Sequence, residues 1–193
     1  METYLIIHNT LIASGSSKSA YVINDNHILL CPRLYKNHHD FDRKILKEYD
    51  MLCYLQSFSL PIIEETKIVK ADGSFGISLA LLQRYIKNTT LYKPFGISPM
   101  KLSDANLATL ATTINILQTN QLYICDLQLL VSENELYIID PSNIYNIQTQ
   151  FYIGHHPRTK TYNDFLVAYA NQIKVLQKII TFNSKEEEED VST

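Results

Sequence analysis

What this chain lacks narrows its possible roles before anything it contains. Among 193 residues there are three cysteines, Cys31, Cys53 and Cys125, odd in number and widely separated. That spacing fits neither a disulfide framework nor a zinc site, and reduced thiols in a cytosol-like compartment are expected. Basic residues are scarce and form no stripe: 17 Lys and Arg stand against 20 Asp and Glu, for a formal net charge of −3. Nucleic acid is therefore not an expected partner. No apolar run approaches the length needed to span a membrane, so no membrane partner is expected either. The stretch Met1 to Ile7 has neither the basic region nor the long apolar segment of a cleavable secretory signal.

What remains is a chain with 46% hydrophobic residues, enough for a sizeable core in one domain or in one domain built from two small lobes. Short apolar runs from Leu5 to Ala13, Ala20 to Ile23 and His27 to Cys31 read as strands, separated by the Ser14–Ser19 loop and the turn Asn24-Asp25-Asn26. Ile45, Tyr49, Leu52 and Leu55 recur at helical spacing between Asp40 and Phe58, and Leu60-Pro61-Ile62 ends that helix. Strands near Thr66 to Lys70 and Ile77 to Tyr85 follow, and Lys93 to Pro99 reads as a hinge region. Ser103 suits the N-cap of a helix whose stripe is Leu107, Leu110, Ile114 and Leu117. Phe165, Tyr169, Ile173 and Leu176 mark a last helix from about Thr161 to Phe182, and the acidic run Ser184 to Asp190 is expected to be disordered.

The most informative stretch joins Ile124-Cys125-Asp126 to Ile139-Asp140-Pro141 through two β-type runs and the polar Ser132 to Glu135. If Val131 faces Leu136 across the turn, Leu129 faces Ile138, and Asp126 and Asp140 meet at the open end of a hairpin. Asp126 interrupts an otherwise apolar run from Leu122, where an ionised carboxylate is costly unless compensated. Two carboxylates delivered together suit one base and one metal ligand. Glu48, on the apolar face of the first helix, likewise calls for a cation. His38-His39 and His155-His156 are adjacent pairs whose side chains point apart, with no further ligand cluster beside them.

Strand, small-residue loop, hairpin, helix, two strands, linker, helix and aspartate-bearing hairpin follow one another in an order that resembles the protein-kinase-like fold, from about Leu11 to Tyr145. The resemblance implies an α+β fold, a minimal bilobal kinase-like one. An N-lobe sheet with one helix would span 1–92, a reduced helical C-lobe with the catalytic hairpin 93–182, and an acidic tail 183–193. It implies that Gly15, Ser16, Ser17 and Lys18 cover the phosphates of ATP, and that backbone groups of Arg84, Tyr85 and Ile86 meet the adenine. Asp126 takes the role of the catalytic aspartate, Asp140 that of the Mg2+ ligand, with Gln128 assisting at phosphate or metal through its amide.

Departures from the family pattern are specific. His27 to Pro32, the strand that should carry the phosphate lysine, has none. Lys18 in the loop and Cys31 in the strand are similar to the with-no-lysine kinases, where a loop lysine reaches the phosphates and pairs with the helix glutamate, here Glu48. Ile124-Cys125 replaces His-Arg before the aspartate, no asparagine follows in the short loop, and Asp140 is followed by Pro-Ser-Asn. Such shortening resembles the minimal effector kinases that bacterial pathogens deliver into host cells, a secreted, virulence-associated group. The implied activity is a Ser/Thr protein kinase dependent on ATP and Mg2+. Its implied target is a host protein such as a chaperone or signalling component, chosen through an unusual surface or with an activating partner that completes the reduced helical lobe. The implied location is host cytoplasm by a route without a cleaved signal, or otherwise the cytoplasm. Two alternatives stand beside it: an inactive pseudokinase that binds a partner, and another transferase on the same fold acting on a small molecule or transferring adenylyl groups.

Overall fold

A computed structural model describes residues 1–6, 10–15, 18–33, 38–73, 76–96, 99–154 and 160–190, the side chains of 38–41 and 185–190 excepted. The chain is α+β, with one mixed six-stranded sheet, two three-stranded sheets and three helices among the described residues. It divides into two compact units, Met1–Asp50 with Ile63–Lys87, and Met51–Ile62 with Asn88–Thr193.

The first unit is built on six strands: β1 (Thr3–Leu5), β2 (Leu11–Ser14), β3 (Lys18–Asn24), β4 (His27–Pro32), β5 (Lys67–Gly73) and β6 (Gly76–Arg84). Their order is β1-β5-β6-β4-β3-β2. All neighbours are antiparallel except β1 and β5, which are parallel, so the sheet is mixed rather than the antiparallel one expected. Of the run Leu5 to Ala13, expected as one strand, Leu5 ends β1 and Leu11 to Ala13 lie in β2, at opposite edges of the sheet. The two strands pair with β5 and β3, which β6 and β4 hold apart. One face of the sheet buries Leu29, Cys31, Val69, Ala71, Ala80 and Leu82 together, with Tyr4, Ile6, Tyr21 and Ile23 packed on them. Helix α1 (His38–Gln56) contributes its length through Asp50 to this unit. Ile45, Glu48, Leu52 and Leu55 are its buried stripe, with Glu48 in place of the half-buried Tyr49.

The second unit holds β7 (Thr90–Tyr92), helix α2 (Asp104–Thr119), β8 (Leu122–Cys125), β9 (Gln128–Val131), β10 (Leu136–Ile139), β11 (Asn143–Asn146), β12 (Phe151–Gly154) and helix α3 (Tyr162–Asp190). Because β7 pairs with β9, this unit starts at Asn88, not after residue 92. The sheets run β10-β9-β7 and β12-β11-β8. Ser103 caps α2 as expected, its hydroxyl accepting from Asn106 N–H at 3.3 Å. Leu110, Leu117, Leu122, Ile124, Ile138, Ile144 and Leu176 are fully enclosed and form much of the core.

The acidic run, expected as a disordered tail from residue 183, continues α3 to Asp190. Glutamate is a good helix former. Asn183, 4% exposed, carries the packed part of the helix past Phe182 by accepting from Leu102 N–H at 2.8 Å and donating to the Met100 carbonyl at 3.1 Å. No helix among the described residues is long and apolar enough to cross a membrane.

Candidate functional site

In the first unit the sequence places a lysine at the start of β3 and a glutamate thirty residues on, inside a helix. The fold joins them: Lys18 Nζ lies 2.5 Å from both carboxylate oxygens of Glu48. The side chains are 14% and 6% exposed, so this is a bidentate ion pair in a largely dry place. Two local features set it up. Lys18 stands opposite Pro32 in the β3–β4 ladder, and paired residues share a face of the sheet. Asp42, on the first turns of α1, accepts the Leu79 N–H of β6 at 2.7 Å and so ties the helix to the sheet that carries Lys18.

The same register corrects the match to the with-no-lysine pattern. Cys31 pairs with Ser19, one step along from Lys18, and therefore points to the opposite face. It is 3% exposed among Leu29, Val69 and Ala71, and burial pushes its thiol up to about 12. The strand position on the lysine's own face is Pro32, which carries no cation.

The loop is tied back on itself. Gly15 N–H donates to the Lys18 carbonyl at 2.8 Å, so this donor is engaged inside the loop instead of facing a phosphate. Ser16 and Ser17 lie outside the described residues, as do Ser74, Ile97, Ser98, His155 and His156. Motif reading missed Arg33, whose guanidinium donates to the Gly15 carbonyl at 3.1 Å and so sits at the loop. The available signal was its place directly after the strand that lacks lysine. At the expected adenine-contacting segment, Arg84 pairs with His27, and Tyr85 N–H donates to the Asn26 carbonyl at 2.7 Å. Tyr85 therefore does not present that donor to a base. Ile86 is buried, at 8% exposure.

In the second unit the hairpin has the expected register: Val131 opposes Leu136, Leu129 opposes Ile138, and the ladder closes on Gln128 and Ile139. A second ladder, which the sequence did not reveal, pairs β8 with β11 and sets Asn143 opposite Cys125. Both aspartates sit where the chain passes from one ladder to the other. Asp126 links β8 to β9, and Asp140 links β10 to β11. Ser142 Oγ donates to the Cys125 carbonyl at 3.2 Å and fastens the two crossings together. Both residues have left-handed backbone, φ 54° at Asp126 and φ 48° at Asp140, a conformation that aspartate adopts more readily than most residues.

Asp126 is exposed and Asp140 half-buried, while Gln128 is 7% exposed and donates through Nε2 to Asp126 Oδ2 at 3.0 Å. Gln128 therefore steadies the aspartate, a direct role that its place among the metal ligands did not anticipate. Behind Asp126, burial raises the pKa of Tyr123, with smaller contributions from Cys125 and Asp126, and it raises that of Tyr152. Tyr152 OH donates to Asn143 Oδ1 at 2.8 Å.

Among the described residues no three His, Cys, Asp or Glu side chains cluster as metal ligands. Magnesium asks for less: one or two carboxylates, with phosphate oxygens and waters completing its shell. Of the expected ligands, Asp140 offers one half-buried carboxylate, and the Gln128 amide nitrogen is engaged by Asp126, which leaves its oxygen as the remaining donor. No protein-family model matches the chain, and no curated protein matches it.

Proposed function

We propose that this protein is a pared-down, protein-kinase-like phosphotransferase, dependent on ATP and Mg2+, that phosphorylates Ser or Thr of a protein. The observation that carries the reading is the Lys18–Glu48 ion pair. A buried glutamate bonded to a lysine beside a small-residue loop is the pairing that kinase chemistry uses to hold a phosphate-binding cation in place. In this reading Lys18 meets the phosphates, Glu48 aims it, and Arg33 adds charge at the loop. Asp140 holds magnesium, with Gln128 keeping Asp126 in place. The chemistry supplied with magnesium bound is neutralisation of charge on the β- and γ-phosphate oxygens. The substrate hydroxyl oxygen bonds to the γ-phosphorus as the bond to the bridging oxygen of ADP breaks, and its proton passes to Asp126. Gln128 donates to Oδ2 of that carboxylate, and in this reading Oδ1 takes the proton.

Substrate protein and any activating partner belong to the same reading, as does a role as an effector acting on a host chaperone or signalling protein; this last rests on analogy with minimal effector kinases. The test is transfer of radiolabelled phosphate from ATP to protein, with Asp140→Asn and Asp140→Ala beside the parent. Loss of at least about a hundredfold in both variants is expected, the scale for removing one charge-stabilising group. Equal incorporation by parent and variants refutes the assignment.

A second reading, a pseudokinase module that binds a partner and transfers nothing, is favoured by Pro32 at the strand position on the lysine's face. Mg-ATP that raises the melting temperature of a parent protein showing no transfer selects it.

A further inference from the structure

β8 is the outer strand of its sheet, paired with β11 on one side only. Its other edge is not exposed to water, since Leu122 and Ile124 are both fully buried. Backbone polar groups in such a place must find partners. Alternate residues of a strand present their groups to the same edge, so the Leu122 carbonyl and the Ile124 N–H point the same way. Gln172 of α3, itself 0% exposed, meets both: Oε1 accepts from Ile124 N–H at 2.9 Å and Nε2 donates to the Leu122 carbonyl at 3.0 Å. A side-chain amide can present its carbonyl oxygen and one of its two N–H groups side by side, like the acceptor and donor of a strand residue. Gln172 thus stands where a neighbouring strand would stand.

Asp126 follows two residues beyond Ile124. We propose that Gln172 is a positioning residue for Asp126, an inference that rests on the phosphotransferase reading. It touches neither nucleotide nor hydroxyl. It fixes the edge of β8 against α3, while the ladder to β11 fixes the other edge, and so it sets the height and direction from which Asp126 leaves the strand. Its neighbours on the buried side of α3, Ile173, Leu176 and Ile179, are apolar. A purely packing role at 172 would be served by another apolar residue, and only the backbone of β8 asks for an amide.

The test compares Gln172→Leu and Gln172→Glu with the parent in phosphoryl transfer. A displacement of a catalytic group on the order of 1 Å costs roughly a hundredfold in rate. Gln172→Leu is expected to lower kcat about 10- to 100-fold while KM for Mg-ATP stays within about twofold, because the nucleotide contacts in the reading lie elsewhere. Gln172→Glu keeps the acceptor for Ile124, but its second oxygen faces the Leu122 carbonyl until it is protonated. The ratio of its kcat to the parent's is therefore expected to rise as pH falls through the raised pKa of a buried carboxyl.

A folded Gln172→Leu protein with the parent's kcat overturns the proposal. So does a flat Gln172→Glu ratio across pH, and so does a loss of rate that only follows the unfolded fraction measured by circular dichroism. If Gln172→Leu does not fold, the Gln172→Glu ratio decides alone. A parent that transfers no phosphate defeats the function reading and the inference with it. An active parent matched by Gln172→Leu defeats the inference alone.

Discussion

Replacing Lys18 with methionine removes the ammonium and keeps most of the aliphatic stem. Glu48 then stays at 6% side-chain exposure without that cation. Breaking a buried ion pair from one side costs about 3–5 kcal/mol, because a charge remains where water is excluded. Lys18 is 14% exposed, which admits some solvent, so the lower end applies. A loss of about 3 kcal/mol corresponds to a fall in Tm of roughly 6–12 °C for a chain of this size. Glu48→Met should cost less, since a lysine head can turn toward water on its flexible stem. The double variant Lys18→Met/Glu48→Met should recover most of the loss, because apolar replacement of both partners is often neutral. Thermal unfolding followed by circular dichroism measures all four proteins and closes the cycle. Losses that simply add, or a Lys18→Met protein within about 1 kcal/mol of the parent, would refute the claim that the pair is dry and coupled. The double variant also separates stability from chemistry. In the phosphotransferase reading it melts near the parent yet transfers no phosphate.

Three further outcomes follow from the packing. With its thiol pushed up to about 12, Cys31 should resist iodoacetamide at pH 8 in the folded protein while the exposed Cys53 is alkylated; mass spectrometry of the digest reads both, and equal labelling contradicts the buried cluster. Gly154→Ala puts a methyl 2.7 Å from Asn143 Cγ and 2.9 Å from its Cβ, and against Oδ1, so Asn143 must turn away from Tyr152. A loss of about 1–3 kcal/mol in urea unfolding is expected, and a neutral variant would show that this contact gives way freely. Asp164 caps the first turn of α3, accepting from Thr161 N–H at 2.8 Å and from its hydroxyl at 2.7 Å, and these bonds hold its carboxyl below the usual aspartate range. A depressed folded pKa contributes stability that is complete above the unfolded value and is lost as pH falls through the lower folded one. Protection of the α3 first-turn amides should therefore decline only below about pH 4, and Asp164→Ala should abolish that dependence in hydrogen exchange.

Where the sequence was legible, local chemistry and long-range register agreed. The β9–β10 hairpin could be read because the short polar loop Ser132 to Glu135 sits between two apolar runs and sets Val131 opposite Leu136, and a one-residue slip would have turned Leu129 and Ile138 away from the core. A carboxylate on an apolar helix face demands a cation, and it was the kinase-like resemblance that named Lys18 as the cation for Glu48. What escaped was what sequence spacing cannot carry. β11 and β12 are four-residue strands rich in Asn, Tyr and Gly, without an alternating pattern to announce them. Cys31 looked like the residue standing in for the strand lysine. Only the ladder shows that parity gives the lysine's face to Pro32. The split of Leu5 to Ala13 between two sheet edges depends on partners more than fifty residues away in the case of β1, a distance over which apolar patterning gives no guidance.

The backbone at the two aspartates decides how their chemistry can be tested fairly. At φ 54° and φ 48° an alanine bears a Cβ penalty that aspartate and asparagine partly offset with local hydrogen bonds. An alanine variant therefore changes two things, the charge and the left-handed turn, and its loss of activity has two possible causes. Asparagine changes the charge alone and keeps the turn. Glycine changes the charge and removes the steric penalty altogether. If charge is what matters at residue 140, Asp140→Asn, Asp140→Gly and Asp140→Ala lose activity together, although only the alanine protein should also lose stability, by about 1 kcal/mol. If Asp140 instead serves to turn the chain between β10 and β11, asparagine and glycine should both retain activity and only alanine should fail. The left-handed crossings are then architecture, and the assignment of Asp140 to magnesium falls with them.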